Sequence, residues 1–358
     1  MSQLRIGFNT RVSFTSDDGP AAGLRDGIEL FRYAESLGFQ GGWAYQRHFD
    51  HYLSSPLPFF SAVGQYTSHI TLGTAVLPTR YQEPVLLAEA AATTDLLVGE
   101  RLQLAVSSGG HQFDAVFGTG PTGLTGRDEG QRRLAVFLSA IQGDVLHTVT
   151  EQVLPGPPAG TELRVTPHSP SLRSRIWYGS GHIASAVNAA RQGLRLITGT
   201  ILHGNTGETF PAYQARLIDE YRKAYQDAHG LAAPPVAVAA SVLPGTTAEL
   251  RAKYAAYDEE RRTLGPAASR PKGALDPGRV PSTPPGFLVS PVFHGSPDDV
   301  TEAILADEGL QAADELVLFL PPAFGLAENR RLLTDFAQTV APNLGWAPTN
   351  PSEKETTR

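Results

Sequence analysis

Residues 69–107, HITLGTAVLPTRYQEPVLLAEAAATTDLLVGERLQLAVS, contain a strand, a helix and a second strand in that order. The run HITLGTAV is rich in β-branched residues, which predicts a strand. EPVLLAEAAATTDLLVG predicts a helix, because Pro84 lies near its start, where the missing N–H has no cost, and Gly99 lies at its end. RLQLAVS predicts the next strand. Two strands joined through a helix are expected to run parallel, with a right-handed crossover.

The same alternation of strand and helix continues along the chain. The predicted strands are residues 4–9, 41–45, 69–76, 101–107, 174–179, 194–199, 235–243 and 314–321. A helix-like run follows each strand, and residues 247–262 are the seventh of these helices. Eight such pairs predict a single (β/α)8 TIM barrel over residues 1–346. A doubly wound open sheet is the alternative, but the Gly-rich dinucleotide-binding sequence expected after its first strand is missing.

Three segments depart from this alternation. The Pro-rich residues 145–170 predict an insertion with a structural role, such as an extra hairpin. Residues 264–296 include GPAASRPKGALDPGRVPSTPPG, which is too rich in Pro and Gly to predict regular structure. A loop of this length between the seventh and eighth strands is usually functional or disordered, and we expect it to form a lid. Residues 347–358 predict a disordered tail.

The composition restricts the possible partners. The chain has 358 residues, of which 41% are hydrophobic and 18% charged, as in ordinary globular proteins with a large core. A net charge of −7 argues against a nucleic-acid partner, because no excess of basic residues is available for phosphate contacts. The sequence shows no apolar run long enough to span a membrane, no signal-peptide pattern and no cysteine. We therefore expect a cytoplasmic protein without a membrane partner.

The carboxyl ends of the predicted strands carry the candidate site residues, because active sites of (β/α)8 barrels form at these ends. The polar side chains of Gln46, Arg47 and His48 follow the second strand directly. Small residues, which leave room for a ligand, dominate the next four strand ends. The first three contain Thr74, Ala75, Ser107, Ser108, Gly109, Gly179, Ser180 and Gly181, and the fourth is residues 198–203. The histidines at strand ends, expected to converge, are His48, His111, His182 and His203. No histidine pair has a convincing metal-site spacing, so we predict no metal.

The sequence Gly-Ser-Gly-His at residues 179–182 predicts a phosphate site. A turn of this kind that opens a helix leaves the N–H groups of the first turn facing outward. Together with the helix dipole, these groups attract anions. Arg127, at the start of the fourth helix, would complete the site through a bidentate contact. The alternative is that the turn is only structural and that Arg127 is a solvent-exposed residue at a helix start.

Several segments together resemble the bacterial luciferase-like, flavin-dependent monooxygenases of the FMN type. In chain order they are AESLGFQGGWAYQRHF, LGTAVLP, GERLQLAVSSGG, FDAVFG, SRIWYGSGHIASAVNAARQGLRLITG and VFHGSPDDV. The resemblance implies a (β/α)8 barrel that binds reduced FMN supplied by a separate flavin reductase. It also implies an oxidoreductase that oxidises a small organic substrate with O2 through a flavin peroxide. We expect the protein to form a homodimer.

The resemblance also implies roles for the residues after the second strand. His48 matches the second histidine of the family's Glu-His-His-Phe run, whereas Arg47 replaces the first, catalytic histidine and Gln46 replaces the glutamate. Arginine does not act as a base near neutral pH, but it can hold an anionic substrate or a flavin peroxide. We therefore predict that His48 handles protons, and that the neighbouring charge of Arg47 lowers the pKa of His48.

Other residues match the flavin-binding positions of the family. Residues 179–182 and Arg127 match the phosphate site. Thr74 and Ala75 match the bulge beneath the isoalloxazine ring, where the family often has a non-prolyl cis peptide. Residues 107–110 match those beside the flavin, and Ser108 stands where the luciferases have an arginine near the phosphate.

Two alternative functions remain open. A deazaflavin-dependent oxidoreductase of the same fold ranks second, because that branch usually has Ser-Asp-His-Phe where this chain has Gln-Arg-His-Phe. The other is a catalytically silent barrel that only binds flavin, and the replacement of the luciferase histidine by Arg47 favours it.

Overall fold

The computed structural model describes residues 4–110, 113–118, 126–204, 207–264 and 286–349. Its main sheet is a closed barrel of eight parallel strands: β1 (Arg5–Thr10), β2 (Gly41–Ala44), β3 (Thr71–Thr74), β5 (Leu102–Ser107), β8 (Ile176–Gly179), β9 (Arg195–Thr198), β11 (Val236–Pro244) and β14 (Glu315–Phe319). The strands pair in this order, and β14 pairs with β1 to close the ring. The predicted barrel is confirmed, and the open sheet is excluded.

Helices follow the strands as the hydrophobic periodicity predicts. They are α1 (Pro20–Ser36), α2 (Pro56–Val63), α3 (Pro84–Leu97), α4 (Asp114–Phe117), α5 (Gly126–Gln142), α6 (Ile183–Arg191), α7 (Phe210–His229), α8 (Ala248–Leu264), α9 (Pro297–Ala306), α10 (Glu308–Gln311) and α11 (Leu326–Thr339). None of the helices within the described ranges is both long enough and apolar enough to cross a bilayer.

Large side chains fill the barrel interior below the site. The rings of Trp43 and Trp177 meet edge to face, with their centroids 5.4 Å apart. Glycine is required at position 73, because a Cβ there would lie 2.2 Å from Cε3 of Trp43. The indole N–H of Trp43 donates to Oε1 of the buried Glu315 at 3.1 Å. The interior is therefore a packed core, and a ligand has to bind at the strand ends.

The position of α8 differs from the prediction. Tyr254 and Tyr257 of α8 pack on Phe324, which follows β14, with ring centroids 6.1 and 6.3 Å apart. Arg261, near the end of α8, donates from Nη1 to Oγ of Ser241 on β11 at 3.1 Å. Ser241 lies on the same face of the strand as Ala237 and Ala239, which face the barrel interior. Helix α8 therefore lies over the carboxyl end of the barrel.

Helix α9 takes the outer position that we predicted for residues 247–262. It packs on β11, and its residues Val300 and Ile304 are buried. The prediction was wrong because an amphipathic pattern shows that one face of a helix is buried but does not show which surface covers it. A sequence signal for α9 was present, since Ser296 and Asp299 form a capping box at its start.

The segment 264–296 is partly regular, contrary to our prediction. Strand β12 (Phe287–Val289) pairs antiparallel with β10 (Ile201–His203), and β13 (Val292–Gly295) pairs parallel with β11. Residues 265–285, the main part of the predicted lid, lie outside the described residues, so the lid stays a prediction.

The other two irregular segments contain ordered contacts. The predicted hairpin within residues 145–170 is present, as β6 (His147–Thr148) paired antiparallel with β7 (Glu162–Leu163). The predicted tail begins later than residue 347, because Ala347 accepts a hydrogen bond from Gln40 at 3.3 Å and the N–H of Thr349 donates to the Gly38 carbonyl at 3.1 Å. Residues 350–358 lie outside the described residues.

Candidate active site

The loops after β2, β3 and β5 meet at one rim of the barrel. The hydroxyl of Tyr81 donates to the Gly110 carbonyl at 2.8 Å, and its ring centroid lies 6.2 Å from that of His48. The loop after β3 also meets the end of β8, because a Cβ on Gly179 would lie 2.5 Å from Cγ1 of Val76. Closure of the barrel therefore brings together the predicted segments 46–48, 74–76, 107–110 and 179–182.

His48 lies in a cluster of aromatic rings. The centroids of Phe49, Tyr81, Phe113 and Phe117 lie 5.9, 6.2, 6.0 and 4.8 Å from that of the imidazole. Burial in this cluster lowers the pKa of His48 below its ordinary value. The predicted lowering of the His48 pKa is confirmed, but its cause is burial rather than the charge of Arg47. Neutral His48 is thus the main form near pH 7, so one of its ring nitrogens carries a lone pair that can accept a hydrogen bond or a proton.

Arg47 is already paired. Its Nε lies 3.1 Å from Oδ2 of Asp50, whose side chain is fully buried, and its Nη1 donates to the Tyr45 hydroxyl at 3.5 Å. Because a carboxylate compensates the charge, Arg47 is a poorer ligand for an anion than we predicted.

Gln46 is held on one side and open on the other. Its Nε2 donates to the Ser54 carbonyl at 2.8 Å and lies 3.4 Å from Nε2 of His48. Its Oε1 is buried and has no hydrogen-bond partner in the part of the chain that the structure describes. Buried acceptors are normally hydrogen-bonded to protein or to ordered water, so Oε1 of Gln46 offers a hydrogen-bonding position to a water or a ligand at this rim.

The Gly-Ser-Gly-His turn and Arg127 lie side by side. Arg127 donates from Nη2 to Oγ of Ser185, in the first turn of α6, at 3.2 Å. Ser180 shapes the turn, since its Oγ donates to the His182 carbonyl at 2.9 Å. One prediction needs correction: Nδ1 of His182 accepts the Ala184 N–H at 3.2 Å, so that N–H is engaged by the cap rather than free for a ligand.

Glycines permit close approaches at this rim. A Cβ on Gly181 would lie 2.8 Å from the Ile201 carbonyl oxygen. Gly109 has a φ of +80°, and a Cβ there would lie 2.7 Å from Cβ of Pro78. The peptide bond between Ala75 and Val76 is cis and non-prolyl, as the family resemblance implies for the bulge after the third strand. Thr74 is buried there, with its hydroxyl donating to the Ala105 carbonyl at 2.7 Å.

The side chain of Ser108 does not face the barrel mouth. Its Oγ lies 2.9 Å from the Tyr178 hydroxyl and accepts from Nε2 of Gln131 at 3.0 Å. Side chains alternate along a strand, so the mouth-facing neighbour is Ser107. Gln131 in turn accepts from Asn188 at 3.3 Å, which links α5 to α6. We therefore reassign Ser108 from flavin contact to positioning the helices that carry Arg127 and Ser185.

The histidines at the strand ends form separate groups. The rings of His182 and His203 lie 6.5 Å apart. Burial and the nearby His182 both lower the pKa of His203. His48 lies in its own aromatic cluster, and His111 lies outside the described residues.

Our sequence analysis missed two residues that hold this rim together. Arg80, mostly buried, forms an ion pair with Asp114 at 2.7 Å and also donates to the Gly110 carbonyl at 3.0 Å. Tyr81 donates to Asp114 at 3.0 Å, which fixes α4 beside His48. Nothing in the sequence showed that TRY (79–81) and FDAVFG (113–118) would meet, because 31 residues separate the two segments.

The chain thus folds as a closed (β/α)8 barrel, and its candidate site residues lie at the carboxyl rim, where active sites of this fold form. The chain belongs to the luciferase-like monooxygenase family, whose family model matches residues 4–313. Membership confirms the predicted family and, with it, the enzyme class of monooxygenases.

Curated relatives match over shorter segments. A Sinorhizobium fredii protein, y4vJ, is 40% identical over 98 residues, which are 26% of this chain and 27% of the relative. The oxygenase component of flavin-dependent trigonelline monooxygenase from Acinetobacter baylyi is 29% identical over 89 residues, or 24% of this chain and 25% of the relative. A 4-hydroxyprotoasukamycin monooxygenase from Streptomyces nodosus subsp. asukaensis is 31% identical over 118 residues, 32% of each chain. The matches thus span about a quarter to a third of these relatives.

Solved structures share the fold over nearly the whole chain. Monooxygenase RslO1 from Streptomyces bottropensis superimposes with a TM-score of 0.72 at 18% identity, covering 95% of this chain and 99% of that one. The oxygenating constituent of 3,6-diketocamphane monooxygenase from Pseudomonas putida, solved with FMN, gives 0.70 at 16% identity and covers 95% and 98%. An F420-dependent tetrahydromethanopterin reductase from Methanopyrus kandleri gives 0.67 at 14% identity and covers 96% and 100%.

Proposed function

We propose that the protein is the oxygenase component of a two-component monooxygenase that uses FMNH2 and O2 to oxidise a small organic substrate. A separate flavin reductase supplies the FMNH2. The observation that carries this proposal is the contact of Arg127 with Ser185 in the first turn of α6, behind the turn at residues 179–182. A cation beside the start of a helix is suited to the phosphate of FMN.

The residues at the rim fit FMN. Besides Oε1 of Gln46, Oδ1 of Asn9 is buried without a hydrogen-bond partner among the described residues, and Asn9 lies at the end of β1. Gly179 and Gly181 let the turn pack closely against Val76 and Ile201, because a Cβ at these positions would lie 2.5 and 2.8 Å from them, and this packing fixes the place of the turn at the rim. Arg127 and residues 180–182 would hold the phosphate, and residues 75, 76, 107 and 109 would flank the ring system.

Bound FMNH2 supplies the electrons with which O2 oxidises the substrate. The protein's part is to orient the substrate, exclude water and manage protons. The rings of Phe113 and Phe117 shield the imidazole of His48 from solvent. Neutral His48 has a ring nitrogen that accepts a hydrogen bond or a proton at the site, whereas Arg47 stays charged and paired with Asp50.

We expect Arg127→Ala to weaken FMN binding by about 1.5–3 kcal/mol, the range for losing a hydrogen bond to a charged group. Riboflavin, which lacks the phosphate, should bind wild type and variant equally. The measurement is fluorescence titration with both flavins. The control is Arg132→Ala. It removes another arginine of α5, which pairs with Glu129.

An equal loss of affinity for FMN and riboflavin would remove Arg127 from the phosphate site. The same titration with coenzyme F420 tests the deazaflavin alternative. Tight binding of F420 together with weak binding of FMN would favour that alternative.

We propose that the protein forms a homodimer through α3. Leu86 and Leu97 of this helix are 62% and 58% exposed, and with Ala90 and Thr93 they form one stripe at helical spacing. The opposite face of α3 is also apolar, and it is buried in this protomer. A helix that is apolar on both faces is expected to be covered on both.

The dimer proposal predicts that the double variant Leu86→Glu, Leu97→Glu sediments as a monomer, because four buried carboxylates would face each other across a two-fold interface. Analytical ultracentrifugation measures this. Leu231→Glu is the control, because Leu231 is 65% exposed but lies outside α3. A wild-type protein that sediments as a monomer, or a double variant that stays dimeric, would contradict the proposal.

A further inference from the structure

Arg11 lies at the barrel mouth, and no carboxylate among the described residues forms an ion pair with it. Its guanidinium carbon is 4.6 Å from the ring centroid of Tyr45 and 5.4 Å from that of Phe319, which are at the ends of β2 and β14. Its Nε is buried and has no hydrogen-bond partner in the described ranges. Aromatic faces attract a guanidinium, but they leave its N–H groups available for a ligand.

Arg261 reaches the same part of the mouth from α8. Its Nη1 donates to Oγ of Ser241, a buried hydroxyl that faces the barrel interior. Tyr257, one turn earlier on α8, lies close to both arginines. Burial raises the pKa of the Tyr257 phenol, and the positive charges of Arg261 and Arg11 oppose that increase. Burial and the nearby Arg11 also lower the pKa of Arg261.

These two arginines differ from Arg47 in how their charge is compensated. Arg47 pairs with Asp50, whereas neither Arg11 nor Arg261 forms an ion pair with any carboxylate in the described part of the chain. The charge of Asp258 favours the charged form of Arg261, but two neighbouring, partly desolvated cations without a direct ion pair are still costly. A bound anion would remove that cost, so the arrangement is suited to an anionic ligand.

Arg11 lies across the barrel from the proposed flavin phosphate site, and Arg261 lies on the arc between them. Arg11 follows β1 and Arg261 contacts β11, and the intervening strand in the ring is β14. The turn at residues 179–182 follows β8, which is four strands away from β1 in either direction around the barrel. The arginine pair is therefore separate from the turn at residues 179–182, since β1 and β11 lie four and two strands from β8.

We propose that Arg11 and Arg261 bind the carboxylate of the substrate, so that this enzyme oxidises organic acids. The proposal rests on the proposed monooxygenase function and specifies its substrate class. A planar guanidinium binds a carboxylate through two parallel hydrogen bonds. The rings of Tyr45, Tyr257 and Phe319 provide apolar walls beside the charge, which suits an acid with an apolar body.

Calorimetric titration of the full chain with benzoate and with benzamide, its neutral isostere, tests the proposal, with octanoate and octanamide as an aliphatic pair. We expect at least one acid to bind about tenfold or more tightly than its amide. Arg261→Gln should weaken acid binding by about 10- to 100-fold, because hydrogen bonds to a charged group are lost. Arg261→Lys, which keeps the charge but loses the planar fork, should give an intermediate affinity.

Arg262→Gln is the matched control. Arg262 is the next residue on α8, its side chain is 66% exposed, and it pairs with Asp258 and Glu259. We expect it to change acid affinity by less than about twofold, as for an exposed ion pair. Circular dichroism verifies that each variant is folded, and Arg11→Lys provides a second variant at the other guanidinium.

The proposal is overturned if neither acid binds the wild type, if each amide binds as tightly as its acid, or if Arg261→Gln leaves acid affinity unchanged. Weaker FMN binding in Arg261→Gln would assign the pair to the cofactor phosphate, which also overturns it. Titration with acids requires no flavin. If the protein fails to bind FMN but binds acids in a manner that depends on Arg261, the proposed FMN-dependent function is refuted. The carboxylate site is supported in that case.

Discussion

Replacing His48 by alanine is expected to lower turnover by about 10²–10⁴-fold, the usual contribution of a positioned acid–base group. FMN affinity should change by less than about threefold, because the proposed phosphate contacts come from Arg127 and residues 180–182. The loss of turnover is expected because His48 is a neutral, half-buried imidazole at this rim. Stopped-flow turnover with reduced FMN, together with a binding titration, separates the two effects. His147→Ala, on the exposed hairpin strand β6, is the control.

The pH profile distinguishes a chemical role for His48 from a structural one. Burial lowers the pKa of His48 below its ordinary 6.5, so the active neutral form persists at pH 6.5 and is lost only at lower pH. Wild-type turnover should therefore fall on the acid side of pH 6.5, and His48→Ala should lack this limb. Wild-type folding stability should fall over the same range, because the unfolded chain binds the proton more readily. A variant that keeps the wild-type acid limb would show that His48 is only structural.

Replacing Asp95 by alanine is expected to lower the free energy of unfolding by about 3–5 kcal/mol, the cost of removing one partner of a buried ion pair. Asp95 is fully buried on α3 and pairs with Arg175, with Oδ1 and Oδ2 accepting at 2.7 and 2.9 Å. It also accepts the Leu102 N–H at 3.1 Å and the Ser169 hydroxyl at 2.7 Å. Urea denaturation measures the loss.

Two further variants test the assignment to the buried pair. Adding Arg175→Leu to Asp95→Ala should restore part of the stability, because the unpaired charge is then removed. Glu29→Ala, which breaks the exposed pair with Arg32, should cost at most about 1 kcal/mol. The pair lies at the amino-terminal end of β5, away from the rim, so the folded variants should bind FMN normally. A loss below about 1 kcal/mol for Asp95→Ala would show that the pair contributes little.

The sequence by itself determined the barrel and the places where its site had to form. Each of the eight strands lies within two residues of its predicted bounds, and β3 is shorter than predicted at both ends. The observed strand β3 ends at Thr74, before the cis peptide, and a short strand, β4 (Leu77–Pro78), follows the cis peptide. Such elements were predictable because hydrophobic periodicity and Gly or Pro boundaries are local properties. The strand ends then identified residues 46–48, 107–110 and 179–182 as neighbours, since parallel strands in a closed barrel share one rim.

Only the tertiary structure decided what each side chain at that rim faces. Ser107 and Ser108 are adjacent and chemically equivalent, yet the pleat turns one toward the mouth and the other toward Gln131. Arg47 was expected to be available for an anion, but Asp50 folds back onto it. Helix α8 has the pattern of an outer helix, and only closure of the barrel beneath it brings Arg261 to Ser241. Periodicity reports which face of an element is buried, whereas the surface that buries it is fixed by contacts between residues distant in sequence.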